Sequence, residues 1–168
     1  VSEADERERL ALCSINLSGA SLADNEFLPF VIRQFQRSGL DASKICFEIT
    51  ETAAIASFAQ ASRFINALKE LGCKFALDDF GTGYSSLSYL KRLPLDQLKI
   101  DQGFVKHILT DPNDMAIAKM IIVLAESLGL AVIAEGVETV EQRDFLGNMG
   151  CLAYQGFLIS RPLALEAF

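Results

Sequence analysis

Six polar residues stand at or near the ends of short apolar runs, and their types could do chemistry together: Asn16, Glu48, Asp78, Lys99, Glu135 and Gln155. The runs cover residues 12–17, 45–49, 75–78, 97–100, 131–135 and 153–157. Side chains alternate along a strand, so Glu48 shares a face with Cys46, Asp78 with Ala76, Glu135 with Ile133, and Asn16 with Ser14. Polar groups then top a face of mostly small residues. A single acid at a strand end is usually a helix cap or a solvated loop residue. Three carboxylates that share one mouth would repel strongly, and cations among them make the arrangement sensible. Carboxylates with one amide oxygen suit Mg²⁺ or Mn²⁺. The lone histidine, His107, lies beyond a strand end and is read as a surface or capping residue.

Asp78 and Asp79 are consecutive, so both cannot face inward on a regular strand. Asp79 is expected where the chain leaves the strand, and the two carboxylates could then bridge two metal ions. A two-ion site clamps the attacking and leaving oxygens of a phosphoryl displacement. Lys99, on the next strand, could orient a water or neutralise developing charge. Asp79-Phe80-Gly81 matches the metal-binding triplet of protein kinases, but no H-R-D segment or glycine-rich loop precedes it, so that reading fails. Gly81-Thr82-Gly83 could cradle a phosphate, yet two glycines after a strand more often permit a tight turn.

The elements that would position these residues alternate strand and helix. Asp24 is expected to cap a helix bearing Phe27, Val31 and Phe35 and ending at Gly39. Ser57 precedes Phe58, Ala61, Phe64, Ile65, Leu68 and Leu71 at helical spacing, before Gly72. Asp114 precedes Ile117, Ile121, Leu124 and Leu128, before Gly129. Thr139 and Gln142 have capping-box spacing, with Gly150 as the stop. Nearly continuous apolar strands separated by helices indicate a parallel sheet, either doubly wound or a (β/α)8 TIM-type barrel. Six strands sending polar residues to one end favour the barrel, whose catalytic groups gather at the C-terminal mouth.

Composition narrows the function classes. The chain has 168 residues, a formal charge of −7 and 15 scattered basic residues, which argues against tracking a nucleic-acid backbone, so no DNA partner is expected. No run approaches the ~18 apolar residues of a membrane span. Cys13, Cys46, Cys73 and Cys151 form no C-x-x-C pair and read as reduced core residues, pointing to a cytoplasmic protein.

The segments Ser14-Ile15-Asn16-Leu17-Ser18, Phe47-Glu48-Ile49-Thr50-Glu51, Asp78 to Leu87 (DDFGTGYSSL), Leu98-Lys99-Ile100-Asp101, Ala134-Glu135-Gly136-Val137-Glu138 and Gln155-Gly156 together resemble the EAL domain family. The order and spacing agree from about Ala11 to Phe168. The resemblance implies a barrel that cleaves one phosphodiester of cyclic di-GMP to linear pGpG with a metal-activated water. It places Asn16, Glu48, Asp78 and Glu135 on metal-ligand positions, Asp79 on the second-metal position, and Lys99 on the residue that assists the water. Glu138 and Gln155 match supporting positions around metal and water. Glu51 matches the glutamate that holds the loop after Asp79. That loop and the following helices resemble a dimer-forming region, so a homodimer through the region after Asp79 is expected, with Tyr84, Leu87 and Leu90 read alternatively as plain helix packing. An upstream sensor or GGDEF-type domain is a further expected partner.

The Glu-Ala-Leu segment that names the family is not in the chain. A complete barrel usually needs about 250 residues and eight strands, so residues 11–168 read as the C-terminal two-thirds of an EAL domain, an incomplete barrel with about six strands. Residues 1–10 read as the end of a truncated helix or a linker. The expected function is a cyclic di-GMP phosphodiesterase whose isolated fragment has weak or no activity. One alternative is a degenerate EAL module that binds the nucleotide without cleaving it. The other, an unrelated metal-dependent barrel such as an enolase-like enzyme, fits the strand-end acids but not the continuous loop motif.

Overall fold

The structure is a computed structural model, and the residues it describes are 11–82 and 90–164. Six strands form one sheet in the order β1-β2-β3-β4-β5-β6, which is also their order in the chain. Sequential order without a reversal has no switch point of the kind that defines a doubly wound sheet, and it is the order of a (β/α) barrel. The chain divides into two compact units, one of residues up to 77 with 90–96, the other of residues 78–82 and 97–164.

The first unit begins with β1 (Cys13–Leu17), α1 (Gly19–Ala23) and α2 (Phe27–Ser38). Asp24 does not cap α2 as expected. Its own N–H donates to Ala20 O at the end of α1, and its Oδ1 accepts from Glu26 N at 2.9 Å. The carboxylate is consumed by this local turn, two residues before the capping position at Glu26. Gly39 ends α2 in the left-handed conformation, φ 63°, as the sequence indicates. A 3-10 turn (Ala42–Lys44) leads into β2 (Ile45–Thr50), and Thr50 caps α3 (Glu51–Ala56), a short helix the periodicity did not reveal.

Helix α4 (Phe58–Lys69) buries Ala61, Phe64, Ile65 and Leu68, the apolar stripe that its spacing dictates. Phe64 is the hub of the core. Its ring lies 5.8 Å from Phe27 and from Phe47 and 6.3 Å from Phe75 on β3 (Lys74–Phe80). The rings meet stacked on Phe27 and edge-on to Phe47 and Phe75, arrangements favoured by the aromatic quadrupole. Asp96 ties the strand to the helix, accepting from Lys69 Nζ at 2.6 Å and from Phe75 N at 2.8 Å.

The second unit contains β4 (Gln97–Ile100), α5 (Gln102–Lys106), α6 (Pro112–Leu128), β5 (Ala131–Ala134), α7 (Val140–Asn148) and β6 (Ala153–Tyr154). Asp111, not Asp114, caps α6 through Asn113 N. Pro112 supplies the reason: a proline that lacks an N–H suits the first helical position, which starts the helix three residues early and leaves Asp114 in its first turn. Thr139 and Gln142 form the expected capping box at α7. β4 pairs β5, and β5 pairs β6, both parallel. Cys46, Cys73 and Cys151 are buried and Cys13 is half-exposed, so the expectation of four core cysteines fails only at β1.

Candidate metal centre at the strand ends

In the second unit, Asp78, Asp79 and Glu135 offer carboxylate oxygens that all lie within 4.8 Å of one another. The backbone of Asp79 explains how neighbours in sequence reach one cluster. Its φ is +54°, the only positive value at a non-glycine among the described residues. Left-handed geometry interrupts the strict alternation of the strand, and among residues other than glycine a short polar one tolerates it best. Asp79 N donates to Asp78 Oδ1 at 3.1 Å, while Thr82 Oγ1 donates to Asp79 O at 2.8 Å, closing the turn.

Glu135 and Gln155 each stand one residue past an assigned strand. The backbone ladder continues to them: Glu135 N donates to Ile100 O at 3.1 Å and Gln155 N to Ala134 O at 2.9 Å. Both residues are thereby held as firmly as strand residues. Gln155 Nε2 then donates to Glu135 Oε1 at 2.6 Å. Gly156 makes this approach possible, because a Cβ there would fall on the backbone of Val137.

Lys99 is buried, and its ammonium lies 2.5 Å from Glu135 Oε1 and 3.3 Å from Asp78 Oδ1. One cation therefore sits beside two of the three clustered acids. The Asp79 carboxyl is pushed above its ordinary value, first by burial and then by the Asp78 and Asp101 carboxylates and a hydrogen bond to Asp101, with Lys99 pulling the other way. The cluster carries more negative charge than its lysine offsets, and its donors are all oxygen. That combination fits a hard divalent cation.

Asp101 is the neighbour that sequence reasoning left without a role. It lies two residues after Lys99, and on a strand that spacing puts two side chains on one side. Its Oδ1 also accepts from Gly103 N at 2.8 Å, so it caps α5 as well.

In the first unit, Asn16 on β1 and Glu48 on β2 are direct partners in the parallel register and so point to the same face of the sheet. Asn16 is exposed and Glu48 is 5% exposed. Glu51 opens α3 and is also buried. The segment Glu51 was expected to hold includes residues 83–89, among them Tyr84 and Leu87, which lie outside the described residues, whereas Leu90 is buried. Residues 1–10 also lie outside them. Glu138 is exposed beyond β5, and His107 ends α5 without entering the acidic cluster.

The site is thus a lysine-bridged acidic cluster at the strand ends of a parallel α/β fold, with all-oxygen donors of the kind that suit a divalent cation. The chain belongs to the EAL domain family, whose model matches residues 2–162. It is 46% identical over 164 residues to cyclic di-GMP phosphodiesterase NbdA of Pseudomonas aeruginosa, a match covering 96% of this chain and 20% of that protein. The chain spans about a quarter or less of the length of such curated relatives. Among solved structures, PaMucR phosphodiesterase in complex with c-di-GMP superposes with a TM-score of 0.88 at 40% identity, covering 93% of this chain and 63% of that one. Klebsiella pneumoniae BlrP1, in a manganese and cyclic di-GMP complex, gives 0.84 at 36% identity, covering 95% and 41%.

Proposed function

We propose that this chain is the catalytic part of a phosphodiesterase that hydrolyses one phosphodiester bond of cyclic di-GMP to linear pGpG. The observation that carries the proposal is the clustering of Asp78, Asp79 and Glu135 around Lys99 in a member of the EAL family. The named activity of NbdA and the nucleotide in the MucR and BlrP1 complexes support the same substrate.

Asp78, Asp79 and Glu135 would hold Mg²⁺ or Mn²⁺, two ions in our reading, and Asn16 and Glu48 offer further oxygen ligands of the kind the family resemblance calls for. Bound divalent cations polarise a phosphoryl oxygen and lower the pKa of a water. The chain's own residues do the rest. Lys99 holds its ammonium where negative charge would develop on the phosphate oxygens, and burial strengthens that interaction relative to water. Gln155 fixes the Glu135 carboxylate by its amide hydrogen bond. Glu138 would support the attacking water, as the family resemblance implies. Water attacks phosphorus and gives up a proton to solvent, the P–O3′ bond breaks, and the 3′ oxygen leaves with a proton taken from solvent. Glu51 would govern the segment after Asp79.

Homodimerisation through the region after Asp79, an upstream signalling domain and a cytoplasmic location are proposed on the resemblance. Among the described residues no helix is long and apolar enough to cross a membrane.

The test is incubation of the chain with cyclic di-GMP and Mn²⁺, with the products separated by chromatography. Weak release of pGpG, in keeping with the fragment expectation, that Glu135→Gln abolishes is the expected result. Tight nucleotide binding by calorimetry with no product would replace the enzyme reading with the sensor reading.

A further inference from the structure

We infer that Gln142 is a positioning residue for Glu138, an inference that rests on the phosphodiesterase reading above. In an ordinary capping box, the side chain three residues into a helix accepts one hydrogen bond from the capping residue, and Glu serves as well as Gln. Gln142 does more than this. Its Oε1 accepts from Thr139 N at 3.1 Å and also from Glu138 N at 2.8 Å. Its Nε2 donates to Val105 O at 3.2 Å, 37 residues away on α5. The Gln amide accepts two backbone N–H groups at its oxygen and donates to a carbonyl from its nitrogen at once, which an ionised Glu at this position could not do.

The side chain is 7% exposed, and a polar group so buried is costly unless its bonds are made. α5 starts two residues beyond Ile100, on the segment that carries Lys99 and Asp101. Gln142 therefore ties the backbone of Glu138 to the segment bearing Lys99. The other side of the same loop is fixed independently: Val137 N donates to Gln155 O at 3.0 Å, and Leu158 N donates to Val137 O at 3.0 Å. A Cβ on Gly136 would collide with Gln102 of α5, which shows how closely the loop lies on that helix. Glu138 is exposed, and its own backbone N–H is bound only through Gln142 among the hydrogen bonds of the described residues. Without that amide, the Glu138 N–H loses its hydrogen bond, and the residue is held only through its neighbours Val137 and Thr139.

Three variants separate positioning from capping. Thr139→Ala removes the hydroxyl that accepts from Gln142 N but leaves all three side-chain bonds of Gln142. Gln142→Leu removes those three, and Gln142→Glu keeps the two acceptor bonds. Amide hydrogen exchange is the first readout. Gln142→Leu should release the Glu138 amide, and Gln142→Glu and Thr139→Ala should keep it protected. Turnover of cyclic di-GMP is the second. Gln142→Leu should lower kcat about tenfold at a KM within about twofold, Gln142→Glu should fall between it and the starting protein, and Thr139→Ala should stay within about twofold. On a Glu138→Gln background, the Gln142→Leu loss should vanish, since a residue that acts through another adds nothing once that one is gone. A protected Glu138 amide in Gln142→Leu, or a kcat loss that adds to that of Glu138→Gln, overturns the inference. If Gln142→Leu does not fold, exposure of the Glu138 amide in Gln142→Glu overturns it, and protection there with the intermediate kcat supports it. Absence of turnover in the unmutated chain counts against the phosphodiesterase reading alone, and amide exchange still decides whether Gln142 holds Glu138.

Discussion

The Lys99 ammonium lies 2.5 Å from Glu135 Oε1 while only 2% of the lysine side chain is exposed. A charge so deeply placed is stable only with partners, and Glu135 and Asp78 supply them. Replacing Lys99 by Met should therefore leave the two carboxylates facing each other without their cation. The expected result is a loss of about 3 kcal/mol of stability without metal, measured by urea denaturation, together with a fall in turnover of about a hundredfold or more. A Lys99→Met protein as stable as the original in EDTA would contradict this account of the site.

The acidic cluster also predicts linkage between metal and stability. A ligand that binds only the folded chain adds about 2.7 kcal/mol when present at 100 times its dissociation constant. Mn²⁺ should raise the melting temperature, EDTA should reverse the effect, and Asp79→Asn should abolish most of it. Equal stabilisation of the Asp79→Asn protein would place the metal elsewhere.

Phe64 packs against Phe27, Phe47 and Phe75 at 5.8 to 6.3 Å between ring centroids and is 3% exposed. Truncation to Ala would lose both transfer energy and contacts around the resulting cavity, a cost of about 3–5 kcal/mol. Chemical denaturation should show it. Phe58→Ala, at a residue only half-buried, should cost distinctly less.

Burial pushes the Cys73 thiol up to about 11 from its ordinary 9.0. The folded form thus resists ionisation that the unfolded chain undergoes sooner. Stability linked to this group is complete below pH 9 and is lost progressively as pH rises toward 11. Cys73→Ala should flatten that part of the stability curve, whatever it costs at neutral pH. In the intact protein at pH 8, iodoacetamide should modify half-exposed Cys13 well before Cys73, read by mass spectrometry.

Much of the fold was legible because its signals are local. Residues 97–100 form β4 as the apolar run indicated, the stripe on α4 is the buried one, and Gly39 and Gly129 end their helices in left-handed conformations. The helix starts were less legible. Asp24 and Asp114 have the right chemistry for caps, but a turn captured the first and Pro112 moved the start past the second. The run at 153–157 shortened to Ala153–Tyr154, because Gly156 turns the chain against Val137.

The sequence by itself determined which residue types crowd the strand ends and that their charges would suit a cation, since alternation and charge follow from neighbours along the chain. It also carried the motifs of the EAL family. Only the tertiary structure decided that a left-handed Asp79 brings two consecutive carboxylates to one cluster, that nearby Asp101 helps push the Asp79 carboxyl up, and that Gln142 ties Glu138 to α5. The Gln142 link spans 37 residues. A hydrogen bond of that reach depends on where two helices pack, and no periodicity in the chain encodes it.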